Sequence, residues 1–129
     1  MDLQEWTRIF IKQRDVMKRR ISKLEQKPYG FTVETKDGME ERVIVDDKLS
    51  ADQASDAPDM IVCLNTKANV DTLIRSWEEF SKPDNLTMVF ANPETNEKWL
   101  LKPHHHDKVA DKKSLKQGLL SMSEAITPA

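Results

Sequence analysis

The sequence predicts an α/β fold, also describable as α+β, with a mixed sheet of about five strands and helices packed on it. Three features predict it: an amphipathic helical pattern at the start, two strand-like runs around Asp37-Gly38, and a continuous apolar run followed by a second amphipathic pattern. The predicted order is α-β-β-β-α-β-β-α. A chain of 129 residues is typical of one domain, so we expect residues 1–129 to form a single α/β domain.

The first element is predicted as a helix from about Leu3 to Gln26, ended by Pro28 and Gly30. Its apolar residues recur at spacings of three, four or seven, which places them on one face. These residues are Leu3, Trp6, Phe10, Met17, Ile21 and Leu24. The same spacing fits a short heptad seam, so it also predicts a homodimer through the N-terminal helix.

The second and third elements are strands within residues 31–36 and 39–45, joined by a tight turn at Asp37-Gly38. The small acidic residues 46–59 that follow indicate a loop, with a short helix near 51–54 as the alternative. The continuously apolar run at 60–64 is typical of a central strand covered on both faces.

A second helix is predicted from Val70 to about Ser81, with Asn69 as its cap. Because it joins the central strand to a strand at 86–91, we expect a right-handed crossover between parallel strands. A turn at 92–96 leads to a partner strand at 98–101. Residues 102–113 are predicted to be a polar loop.

The last helix is predicted to begin at Ser114, whose spacing to Gln117 fits a capping box. Its inward residues are Leu115, Leu119, Met122 and Ile126. The three tryptophans, Trp6, Trp77 and Trp99, are expected in the core.

The net charge of −2, from 20 Lys+Arg and 22 Asp+Glu, conceals a division along the chain. Residues 8–27 are strongly basic, and residues 34–59 are strongly acidic. One interpretation is that the two segments pair within the molecule. The alternative is nucleic-acid binding by the basic helix, because repeated cations on one face bind backbone phosphates. The candidate residues are Arg8, Lys12, Arg19 and Lys23.

The sequence has no apolar run long enough to cross a membrane, and its first residues lack a secretory pattern. One cysteine cannot form an internal disulfide, so we expect a cytoplasmic protein. That cysteine, Cys63, lies in the predicted central strand, where a buried thiol is the simpler expectation than a catalytic one.

Two further clusters are candidate sites. His104, His106 and Asp107 would share a side if their segment were extended, which makes them candidate metal ligands, although a solvated loop is the simpler expectation. Asn65, Lys67, Asn69 and Asp71 follow the central strand. Ligands of open α/β sheets collect at carboxyl ends of strands, so this corner is the predicted pocket, although a polar strand end with a capping Asn is the simpler expectation.

The αβββαβ order resembles the restriction-endonuclease-like, or PD-(D/E)xK, nuclease superfamily over roughly residues 1–91. In that family a carboxylate on one strand and an Asp/Glu-x-Lys on the next hold a divalent metal and activate water. Here Asn65-Thr66-Lys67 matches the lysine but not the acid, and Glu41 is the candidate for the other carboxylate. Asp59, in Pro58-Asp59, imitates the first half of the motif.

The resemblance therefore implies two functions. An active metal-dependent nuclease would use Glu41, Asn65 and Lys67 with a divalent metal as cofactor. A relative without activity would need no cofactor, and replacing the motif's acid by Asn65 favours it, because it removes a charge that a hard cation requires. We expect a non-catalytic binding or interaction domain, with the nuclease and the nucleic-acid-binding protein as alternatives.

Overall fold

The computed structural model describes all 129 residues and contains one six-stranded mixed sheet. The strands are β1 (Ile21–Lys27), β2 (Gly30–Thr35), β3 (Glu40–Val45), β4 (Met60–Leu64), β5 (Thr87–Asn92) and β6 (Glu97–Leu101). The helices are α1 (Leu3–Lys18), α2 (Lys67–Arg75), α3 (Trp77–Ser81), α4 (Pro103–Val109) and α5 (Leu115–Glu124), with a 3-10 helix at Ala51–Asp56. No helix is long and apolar enough to span a membrane.

The strands lie in the sheet in their order along the chain. β3, β4 and β5 are parallel, and all other neighbours are antiparallel. The predicted α/β class and the mixed sheet are confirmed, with one strand more than expected.

Helix α1 packs on one face of the sheet. Its residues Leu3, Trp6, Phe10 and Ile11 are all buried. They meet alternate residues of four strands, because alternate side chains of a strand point to the same face. The strand residues of this cluster are Phe31, Val33, Val43, Val45, Val62, Val89 and Ala91. Leu3, Trp6 and Phe10 of the predicted heptad seam therefore pack inside the molecule.

The other helices pack on the opposite face. The larger core cluster joins α2, α3 and α5 to the remaining side chains of β4, β5 and β6. It also includes Leu49 and Ala54, which anchor the acidic segment and its 3-10 helix in the core. Leu119 of α5 is fully buried in this cluster, and Leu115, Met122 and Ile126 pack against the cluster as predicted.

The predicted first helix is wrong beyond residue 18. Arg19 adopts the left-handed conformation with φ of 50°, which ends the helix. The Asp15 carboxylate accepts hydrogen bonds from the backbone N–H groups of Arg20 and Ile21, at 2.7 Å for Arg20. The chain then enters strand β1, which pairs with β2. Met17, predicted to face inward, is 90% exposed.

Four smaller predictions are also wrong. Most of the predicted polar loop 102–113 is helix α4, which Pro103 opens at a position where its missing N–H costs nothing. The helix predicted at 70–81 is divided at Ser76 into α2 and α3, and Thr66 rather than Asn69 caps α2. Ser114 forms no side-chain cap.

Two glycines determine the hairpins. Gly38 has φ of +85°, the conformation that the predicted Asp-Gly turn requires. Gly30 has φ of +150° and begins β2 between two neighbours, opposite Lys27 of β1 and Ile44 of β3. A Cβ atom at residue 30 would overlap the backbone carbonyl of Val43, so no other residue fits without displacing β3.

Candidate functional site

A cleft of about 390 Å³ lies at the amino ends of the parallel strands, beneath the last turn of α1. Its floor comes from residues at the beginnings of β3, β4 and β5, and its rim comes from α1 and from the junction of β6 with α4. Its charged and titratable lining residues include Arg14, Lys18, Glu41, Asp59, Lys102 and His105. The cleft is therefore at the end of the sheet opposite to the predicted pocket.

The cations at this rim follow from the pattern of α1. The inward stripe of the helix is apolar or small as far as Ile11, and then continues as Arg14 and Lys18. Helical positions three or four apart share a face, so these two side chains lie over the cleft rather than in the core. The Arg14 guanidinium also lies 5.4 Å from the centre of the Phe10 ring.

These cations have no anionic partner within the protein. The structure contains four ion pairs, and none involves Arg14, Lys18 or Lys102. Lys102, at the junction of β6 with α4, also lines the cleft, as does the exposed His105. Three unpaired cations from two separate parts of the chain therefore surround one cavity.

Most of the carboxylates in the cleft already have partners. Asp15 binds the backbone after α1. Glu41 pairs with Arg20 at 3.3 Å. Asp59 accepts one hydrogen bond from the Arg42 backbone and one from the Asn85 side chain, both at 2.8 Å. Asp84 is exposed and has no hydrogen-bond partner. The carboxylates keep their charge, but among the charged side chains of the cleft without a partner the three cations outnumber the one carboxylate, Asp84. The groups left free to bind a ligand therefore favour an anionic one.

The predicted nucleic-acid residues do not form one helical stripe. Arg8 and Lys12 lie on α1, but Arg8 is paired with Glu5. Arg19 occupies the left-handed cap of α1, and Lys23 lies on β1 beside Glu25. Sequence reasoning missed Lys102 and His105, because only the fold brings that junction close to α1. Arg14 and Lys18 continue the inward stripe of the first helix, and this spacing is the sequence signal that could have identified them as residues of the cleft.

The structure separates the predicted nuclease residues. Glu41 lies at the amino end of β3, whereas Asn65 and Lys67 follow the carboxyl end of β4. Since these strands are parallel, roughly 20 Å of strand lies between the two groups. Glu41 and Asp59 do line the same cleft, but Lys67 does not reach it.

The predicted pocket at the carboxyl end is filled by the protein itself. Asn65 is buried, and its Oδ1 accepts hydrogen bonds from Trp99 Nε1 at 2.9 Å and Ser123 Oγ at 3.1 Å. Asn69 is also buried and bonds to the backbone of Leu49 and Leu64. The last residues of the chain bond to the side chain of Asn92. The polar residues that predicted a ligand site bind neighbouring segments instead.

The predicted metal ligands contact residues of α3 instead. Because their segment is helical, His104 and His106 do not share a side. The His104 ring bonds to the Ser81 carbonyl, His106 packs edge-on against Trp77, and Asp107 accepts the Trp77 indole N–H at 2.7 Å. The structure contains no group of three or more His, Cys, Asp or Glu side chains placed to hold one ion.

The cysteine lies in the centre of the sheet. Cys63 is 1% exposed, and burial raises the pKa of its thiol, an effect that the charge of Asp46 reinforces. A thiol in this position stays protonated at neutral pH and is a core residue.

No family model matches the chain, and no curated protein or solved structure is significantly similar to it.

Proposed function

We propose that the protein is a non-catalytic nucleic-acid-binding module that holds backbone phosphates at the cleft beneath α1. The observation that carries this proposal is the set of three cations, Arg14, Lys18 and Lys102, which surround one cavity without an ion-pair partner. Unpaired cations beside one another are costly unless solvent or an anion compensates them. A phosphate group would satisfy charge and hydrogen-bond donors together.

The size of the cleft supports a ligand of nucleotide dimensions. Its volume of about 390 Å³ falls within the roughly 300–1,000 Å³ of typical ligand sites. Arg19, at the cap of α1, is also exposed and forms no ion pair, so it adds a cation next to Lys18. A strand with one phosphate in the cleft can therefore meet a further cation outside it.

The carboxylates of the cleft support binding rather than cleavage. A hydrolytic metal site needs carboxylate oxygens that are free to ligate. Glu41 is held by Arg20, and both oxygens of Asp59 accept hydrogen bonds within the protein. The lysine of the nuclease motif, Lys67, lies at the other end of the sheet.

The proposal is tested by the affinity of labelled single-stranded DNA and RNA oligonucleotides, measured by fluorescence anisotropy between 50 and 200 mM salt. We expect affinity to fall with salt, and Lys18→Ala to weaken it and to reduce the salt slope by about one unit. Arg14→Ala should act in the same direction. Lys67→Ala is the matched control, because it removes an exposed lysine at the opposite end of the sheet.

Two outcomes would contradict the proposal. Affinity that does not change with salt, or that falls equally in Lys18→Ala and Lys67→Ala, would exclude the cleft as the phosphate site.

Incubation of the oligonucleotides with the protein and Mg²⁺ or Mn²⁺ tests the nuclease alternative. Cleavage product formed by the wild type and lost in Lys67→Ala would show catalysis.

A further inference from the structure

Strand β1 is an edge of the sheet whose outer side is open. Its only neighbour is β2, and it is half-buried or exposed along its whole length. Ile21 N–H bonds to Asp15, and the other backbone groups that point away from β2 have no hydrogen-bond partner. Such an edge can accept another strand by continuing the ladder.

The sequence of β1 is complementary to itself. The strand reads Ile-Ser-Lys-Leu-Glu-Gln-Lys, with Leu24 at its centre. In an antiparallel pair related by a two-fold axis through Leu24, Lys23 of one copy lies opposite Glu25 of the other. The axis creates this opposite-charge pair twice and places Leu24 against its own copy. Opposite charges directly across a ladder stabilise pairing, and like charges destabilise it.

Other registers are less complementary. Residues directly opposite each other in an antiparallel pair point to the same face of the sheet. The two-fold axis of a symmetric pair therefore passes through a residue position rather than between two neighbouring positions. An axis through Lys23 or Glu25 places that charge against its own copy. An axis through Gln26 places Glu25 of one copy opposite Lys27 of the other. It also brings Pro28 into the paired region, and proline has no backbone N–H to donate to the ladder.

The charged residues of β1 are free to exchange partners. Within one chain Glu25 lies 3.7 Å from Lys23 and 3.4 Å from Lys27, and all three side chains are substantially exposed. Lysines on an edge strand usually prevent strand addition. Here the glutamate between them offsets that barrier for a second copy, because Lys23 and Glu25 of each copy then face an opposite charge.

We propose that the protein forms a symmetric homodimer in which β1 pairs antiparallel with β1 of a second copy, centred on Leu24. The two six-stranded sheets then join into one of twelve strands. This interface differs from the heptad seam of the first helix, whose Leu3, Trp6 and Phe10 are buried, and it does not depend on the proposed nucleic-acid binding.

Sedimentation velocity over a concentration series tests the interface. We expect the wild type to approach twice the monomer mass, and Glu25→Lys to weaken dimerisation by at least about tenfold, since both Lys23–Glu25 pairs then become pairs of like charge. Reversing both charges, Lys23→Glu with Glu25→Lys, should restore the dimer. Mixing the two single variants should produce a heterodimer, because each supplies the charge that the other lacks.

Glu94→Lys is the control, since it makes the same change of charge at an exposed turn between β5 and β6. Circular dichroism of each variant establishes that it is folded. A wild type that stays monomeric throughout the series would overturn the proposal. So would a folded Glu25→Lys that dimerises like Glu94→Lys.

Discussion

At the scale of single residues, each of the three buried indoles donates to a side chain that the sequence places far away. Trp6 donates to Asn96, Trp77 to Asp107 and Trp99 to Asn65, with N–O distances between 2.7 and 2.9 Å. Each of these bonds joins two different segments of the fold. A buried indole N–H without an acceptor is costly, so these amide and carboxylate partners specify the packing of the rings.

We expect Asn65→Leu to destabilise the fold by about 3 kcal/mol, because it leaves the Trp99 N–H and the Ser123 hydroxyl without their acceptor. Urea unfolding measures the loss. Adding Trp99→Phe should cost less in the Asn65→Leu background than in the wild type, since the bond is already absent. Equal costs in both backgrounds would contradict the bond's role.

The core was largely predictable at this scale, and the roles of the polar residues were not. All three tryptophans are buried, as their apolar positions predict. Asn65 and Asn69 have the composition of a ligand site, but their partners come from segments that only the complete fold brings together. A single sequence does not distinguish an amide that binds a ligand from one that binds its own backbone.

At the scale of elements, the junction of α1 and β1 departs furthest from the sequence pattern. Ile21 and Leu24 continue the helical spacing, which predicts one long helix. In the strand they still lie on one side, because the register shifts between Ile21 and Lys23. A bulge and a helix thus give the same spacing, and pairing with β2 decides between them.

We expect Asp15→Ala to lower stability by about 1–2 kcal/mol, because the carboxylate binds two backbone N–H groups that neither helix nor strand satisfies. Asp15→Asn keeps an acceptor and should lose less. Hydrogen exchange at β1 should quicken more in Asp15→Ala than in Asp15→Asn. Equal exchange in both variants would show that the capping bond does not order this junction.

At the scale of the whole molecule, the basic and acidic segments do not neutralise each other. One ion pair, Arg20–Glu41, joins residues 8–27 to residues 34–59. The other three ion pairs lie within residues 5–27. The charge division that the sequence shows is therefore directed mainly outward, so a net charge of −2 does not argue against an anionic partner.

The two ends of the sheet also differ, since the carboxyl end is closed by the last residues of the chain. The Glu97 carboxylate accepts a hydrogen bond from the Thr127 backbone at 3.2 Å. Hydrogen bonds from Thr127, and to a smaller extent from Thr95, lower the pKa of Glu97 below its usual value of 4.5. A depressed pKa stabilises the folded state at higher pH, and this contribution disappears as pH falls through the folded-state pKa.

We expect the Thr127 amide to lose this bond on acidification, with a midpoint below pH 4.5. The chemical shift of that amide, followed by NMR from neutral to acidic pH, measures it. Glu97→Gln should remove the transition, and Glu94→Gln, in the neighbouring turn, should keep it. A transition that persists in Glu97→Gln would assign it to another carboxylate.

Gly30 gives the edge of the sheet an unusual mutational sensitivity. Its φ and the Val43 carbonyl beside it admit no side chain, and it pairs with both β1 and β3. A side chain at residue 30 would therefore disturb both neighbours of β2 at once. The edge strand that carries the proposed dimer contact thus depends for its placement on a residue outside that strand.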